Sequence, residues 1–164
     1  MNTKELRLTF NEYASRDELP AADKALLEQA AEATKTSYSP YSHFKVGAAV
    51  LLENGEIISG SNQENAAYPS GLCAERVALF AAAAKYPGVA VKALAISAKS
   101  NESVINQPVT PCGACRQVMI EFETRFQKDI RVIMAGEKGA VIVSDSVNKL
   151  LPLSFDGNHL LKEK

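Results

Sequence analysis

Apolar and polar positions along this chain fall into short runs of different period. Leu6, Leu8 and Phe10 are apolar, with Arg7 and Thr9 between them, and that period of two predicts a short edge strand. The run DELPAADKALLEQAAEATKTS is rich in alanine and leucine and has Pro20 where a first helical turn tolerates it. It predicts a helix that stops near Ser39, since Pro40 disfavours helix in the residue before it. In FKVGAAVLLENGEIISG two β-prone arms flank Asn54-Gly55, which predicts a hairpin. A polar loop, SNQENAAYPSG, then leads into CAERVALFAAAAKY, a predicted helix closed by Pro87-Gly88. VAVKALAIS is nearly all apolar and predicts a central strand. CGACRQVMIEFETRF predicts a further helix, IRVIMAG and AVIVS two strands, and SVNKLL a short helix before Pro152.

No internal repeat, low-complexity tract or linker interrupts this order. It predicts one α/β domain, a mixed sheet with helices packed on it. The 164 residues suffice for one core, and 46% hydrophobic with 23% charged residues is ordinary for a globular chain. The net charge of -1 argues against a nucleic-acid partner. Charges interrupt the opening MNTKELRLTF, so no secretory leader is expected, and the longest apolar run, Val77 to Ala84, is too short to span a membrane. The expected compartment is the cytoplasm, where clustered cysteines serve as metal ligands or catalysts more often than as disulfides.

The chain holds three cysteines, an odd number, in CAER (Cys73 to Arg76) and PCGACRQ (Pro111 to Gln117). Both motifs stand where a loop enters a predicted helix. Cys112 and Cys115, three apart at a helix start, can grip one ion, and Cys73 is the available third thiolate. Such ligands favour zinc. Neither His43 nor His159 has a spacing that ties it to the cysteines, so one position on the metal stays open, as in catalytic zinc sites. Two helix N-termini and Arg76 would offset the negative charge of three thiolates. Glu75 reaches the same ion only if Cys73 lies at the very end of its helix; there its carboxylate becomes a proton shuttle. Each motif alone also has a plainer reading: a buried small cysteine, a redox Cys-x-x-Cys pair, a glutamate compensating a helix dipole.

The segments SPYSHFKVGAA, NQENAAY, CAER, PCGACRQV and LLPLSF, in that order from Ser39 to Phe155, closely resemble the small three-cysteine cytidine deaminases. The resemblance implies a three-layer α-β-α fold over residues 1–164, with residues 1–20 as an N-terminal extension. It implies Cys73, Cys112 and Cys115 as ligands of one zinc ion per subunit and Glu75 as the proton shuttle. Asn62 and Glu64 resemble a pair that holds a ribose hydroxyl, Tyr68 a tyrosine near the ribose, and Phe44 the aromatic packed on the pyrimidine. Ala74 resembles the residue whose backbone reads the base, and Phe155 one that enters a neighbouring subunit's site in a homotetramer. The implied activity is hydrolytic deamination of free cytidine and deoxycytidine in pyrimidine salvage. The alternatives are the same chemistry on another amino-heterocycle, and a structural zinc module completed by His43 or His159.

Overall fold

The computed structural model describes residues 1–160. Six strands form one sheet: β1 (Asn11–Tyr13), β2 (Phe44–Leu52), β3 (Ile57–Ser61), β4 (Val91–Ser100), β5 (Arg131–Ala135) and β6 (Val141–Ser144). Their spatial order is β1-β6-β5-β4-β2-β3. The sheet is mixed, because β4 and β5 run parallel while every other neighbouring pair is antiparallel. A parallel pair needs a crossover, and helix α3 (Gly113–Phe126) supplies it. Helix α2 (Ala74–Lys85) lies on the same face as α3, and α1 (Ala21–Ala33) covers the other. The expected three-layer α-β-α fold is therefore present, with β4 in the interior of the sheet as its apolar sequence predicts.

Alternation along the strands divides the core in two. Val50, Leu94, Ile96, Val132 and Met134 pack beneath α2 and α3, whereas Ala49, Ala95, Ile133 and Val143 pack beneath α1. Two glycines let the helices come close. A Cβ on Gly60 would lie 2.6 Å from the backbone nitrogen of Ala78 in α2, and one on Gly47 would strike the Ala30 carbonyl of α1. The hairpin turn falls at Asn54-Gly55, where Gly55 has φ of 87°.

Three expectations are corrected. The edge strand is Asn11–Tyr13, paired with Val141–Val143; Leu6, Leu8 and Phe10 are exposed and belong to no strand. The first helix is shorter than the alanine-rich run, since Thr34–Thr36 tighten into a 3-10 turn. There the hydroxyls of Thr34 and Thr36 donate to the carbonyls three residues back, Ala31 and Ala33, competing with the helical pattern. SVNKLL forms a 3-10 turn, Val147–Lys149, capped by the Ser146 side chain.

A buried carboxylate fastens that turn to the body. Glu123, 4% exposed, accepts from the backbone N–H groups of Ile130 and Val147, both at 2.7 Å. It also accepts from Ser146 Oγ and from the backbone and side chain of Asn148. Glu123→Gln turns an NH2 group toward these donors. We expect urea denaturation to show a loss of about 2 kcal/mol or more.

Candidate metal centre

The metal centre is built by two helix starts. Cys73 is the N-cap of α2 and Cys112 that of α3, both with extended backbone. Asparagine, aspartate or serine at such a position would cap the first turn with its own side chain; neither cysteine does. Free N–H groups and the positive ends of two helix dipoles are left near the sulfurs. Cys115, one turn into α3, is fully buried. All three Sγ atoms lie within 4.8 Å of one another. Cys73 and Cys112 are 3.8 Å apart and Cys112 and Cys115 are 3.5 Å apart. A tetrahedral ion with zinc–sulfur bonds of about 2.3 Å requires sulfurs about 3.8 Å apart, so the three thiols fit zinc. Among the described residues this metal-capable group contains only the three cysteines. His159 instead stacks on Phe155 and bonds to Asp156.

The charges around the sulfurs are unequal. The Cys115 thiol and the Arg76 guanidinium stabilise a thiolate at Cys73 and lower its pKa to about 5. The same contact with Cys73, together with burial, pushes Cys115 up. Arg76 reaches toward Cys73 Sγ at 3.7 Å and the Gly71 carbonyl at 3.4 Å, and its Nε is buried without a partner. Glu75 follows in the first turn of α2, only 4% exposed; burial pushes its carboxyl up, and the Cys73 thiolate adds to the effect.

A cavity of about 450 Å³ opens beside Cys73 and Arg76 and brings Asn62, Glu64 and Tyr68 to the same place. An antiparallel bridge between Gln63 and Leu72 ties the polar loop to the residue before Cys73. Asn62 is firmly held: its Oδ1 accepts from Ser37 Oγ at 2.6 Å and from Val46 N at 2.8 Å, and its Nδ2 donates to the Phe44 carbonyl at 2.9 Å. Glu64 accepts from Tyr41 N, Ser42 N and Ser42 Oγ, which together hold its pKa below the usual range. Tyr68 is highly exposed, its ring 6.2 Å from that of Tyr41. Phe44, Ala74, Glu75 and Phe155 do not line this cavity. Phe44 is half-buried at the start of β2, and Ala74 is fully buried at the start of α2. Phe155 is largely exposed, its carbonyl held by Gln117 Nε2 at 2.7 Å.

Residues 20–130 match the family model of the cytidine and deoxycytidylate deaminase zinc-binding region. The chain belongs to this family. It is 42% identical to a cytidine deaminase of Halalkalibacterium halodurans, over 79% of this chain and 91% of that one. Identity to a cytidine deaminase of Sporosarcina psychrophila is 43%, over 82% and 92%. A crystal structure of cytidine deaminase from Burkholderia pseudomallei superposes with a TM-score of 0.69 at 42% identity, covering 80% of this chain and 97% of that one. In this family member no helix among the described residues is long and apolar enough to cross a membrane.

Arg116, to which the sequence assigns no role, supports the loop before Cys112. Its guanidinium donates to the carbonyls of Pro111 at 2.7 Å and Leu150 at 2.9 Å, and to Thr110 Oγ1 at 3.3 Å. Its partners on both sides are loop groups far apart in sequence, which no helical period signals. Arg116→Ala leaves all three thiols in place but frees the loop before Cys112. Competition with a chelator should show zinc affinity about tenfold weaker than in the parent protein.

Proposed function

We propose that this family member hydrolyses free cytidine and deoxycytidine to uridine and deoxyuridine, releasing ammonia, in pyrimidine salvage in the cytoplasm. The observation that carries the reading is the buried Glu75 carboxylate in the first turn of the helix that Cys73 begins. A zinc ion held by Cys73, Cys112 and Cys115, one per subunit, supplies Lewis-acid activation of water when bound. Glu75 takes a proton from the attacking water and passes it to ring N3, which makes C4 more electrophilic. It then takes the proton of the hydroxyl now on C4 and carries it to the amino group; the C4–N bond breaks, ammonia leaves and C4 becomes a carbonyl. Water and cytidine are consumed, uridine and ammonia are formed, and Glu75 ends as it began.

The sugar is held by Asn62 and Glu64. Asn62 has one N–H left to donate after its three internal bonds, and Glu64 is an acceptor, so together they suit a hydroxyl that both accepts and donates. Tyr68 borders the ribose, Phe44 packs on the pyrimidine, and the backbone of Ala74 reads the base. Arg76 offsets the charge of the thiolates. The working unit is a homotetramer in which Phe155 completes a neighbour's site. The 56% exposure of Phe155 and 76% exposure of Tyr68 support this, since large aromatics gain from burial at an interface. Residues 1–20 extend the domain at its N-terminus.

The test follows loss of the cytosine absorbance with zinc-loaded protein. We expect conversion of cytidine by the parent protein and a drop of about 100-fold or more in kcat for Glu75→Gln at equal zinc content. Equal turnover by the two proteins would remove Glu75 from the mechanism. Asn62→Ala should raise KM about tenfold with a smaller change in kcat, as expected for a group that grips the sugar and not the reacting carbon.

A further inference from the structure

Lys45 of β2 and Lys99 of β4 stand directly opposite each other in the antiparallel ladder. Both belong to the face covered by α1, because Gly47 and Ala49 on β2 and Ala95 on β4 lie under that helix and side chains alternate along a strand. Like charges opposed across a ladder destabilise it. Among the described residues neither lysine has an ion-pair partner. They line a cavity of about 320 Å³ that Arg16 and Lys35 also border, with Glu137 as its one acidic neighbour. Lys35 is paired with Glu32 at 2.6 Å, and Arg16 donates to the carbonyls of Gly136 and Glu137. Carbonyls do not neutralise a guanidinium, so Arg16, Lys45 and Lys99 together face the single carboxylate of Glu137. Between the strands and α1, the nearly buried Ser97 and Thr34 add hydroxyls to the lining.

We propose that this cavity is a second ligand site and takes a phosphate-bearing small molecule. With Lys35 paired to Glu32, three cations around the one carboxylate of Glu137 leave an excess positive charge that a bound anion would balance. Lysines serve phosphate as compact point charges, and a multiply charged anion satisfies two at once, which a single carboxylate does not. The volume lies at the lower end of the range for small-molecule sites. The cavity is on the opposite face of the sheet from α2 and α3, and β2 links it to the Cys73 cavity only through backbone contacts with Asn62. Lys45 sits between Phe44 and Val46, whose backbone groups hold the Asn62 amide.

The test is calorimetric titration of the zinc-loaded full chain with inorganic pyrophosphate and, separately, ADP, at matched ionic strength and with zinc content checked before and after. We expect saturable binding with Kd near or below about 1 mM. In Lys45→Gln/Lys99→Gln it should weaken by about tenfold or more, since two charge-assisted contacts are lost. Lys92→Gln, an exposed lysine elsewhere on β4, should bind as the parent does. The double variant should melt no lower than the parent, because the opposed charges are gone. Tighter binding of ADP than of pyrophosphate identifies a nucleoside phosphate as the ligand; equal binding identifies the phosphate group alone. Absence of saturable binding of either probe up to about 10 mM, or equal binding by the double variant, overturns the proposal.

Discussion

Cys73 and Cys112 are 39 residues apart in sequence, and the 3.8 Å between their sulfurs fixes how α2 must meet α3. Each sulfur ends a loop and begins a helix, so its position is set by the packing of the whole helix behind it. Gly60 lets α2 press against β3, and the parallel β4–β5 pair places α3 on the same face. The sheet thus delivers two helix N-termini to one point. Cys73 gains its thiolate partly at the expense of Cys115, whose proton is held more tightly as a result. A divalent cation removes that competition, because all three thiols can ionise around it.

The same arrangement separates two kinds of work. Buried groups, Glu75 and Cys115, stand at the helix starts, where water is sparse. Polar groups that suit a sugar stand on the loop after β3, held by backbone atoms of β2 and by Tyr38. The Gln63–Leu72 bridge joins the two, so the loop cannot shift without moving Cys73. A site assembled from rigid helix ends and a loop tied at both margins needs little reorganisation to hold a small substrate.

Local signals in the sequence were read well where local physics decides. Asn54-Gly55 marks a turn because Gly55 adopts positive φ, and the apolar run around Leu94 marks a buried strand. The polar loop running into CAERVALF marks Cys73 as the start of a helix, the place its two-residue spacing to Glu75 requires. Signals failed where a distant partner decides. The alternation of Leu6, Leu8 and Phe10 is that of a strand, but β6 offers its edge to Asn11–Tyr13 instead. No motif or period marks Arg116 or Glu123, yet each is committed to groups outside its helix.

Consider the stretch beyond β6. Among the described residues it contributes no thiol and no strand, yet Leu150 offers its carbonyl to Arg116, while Ser146, Val147 and Asn148 direct their donors at Glu123. A chain ending at Ser144 would retain the sheet, the three helices and all three cysteines. It would also strand a carboxylate in the core with Ile130 as its remaining donor, and leave the arginine beneath Pro111 half-anchored. The turn Val147–Lys149 and its flanks act as a buttress, and the stability of the floor on which the chemistry stands depends on them.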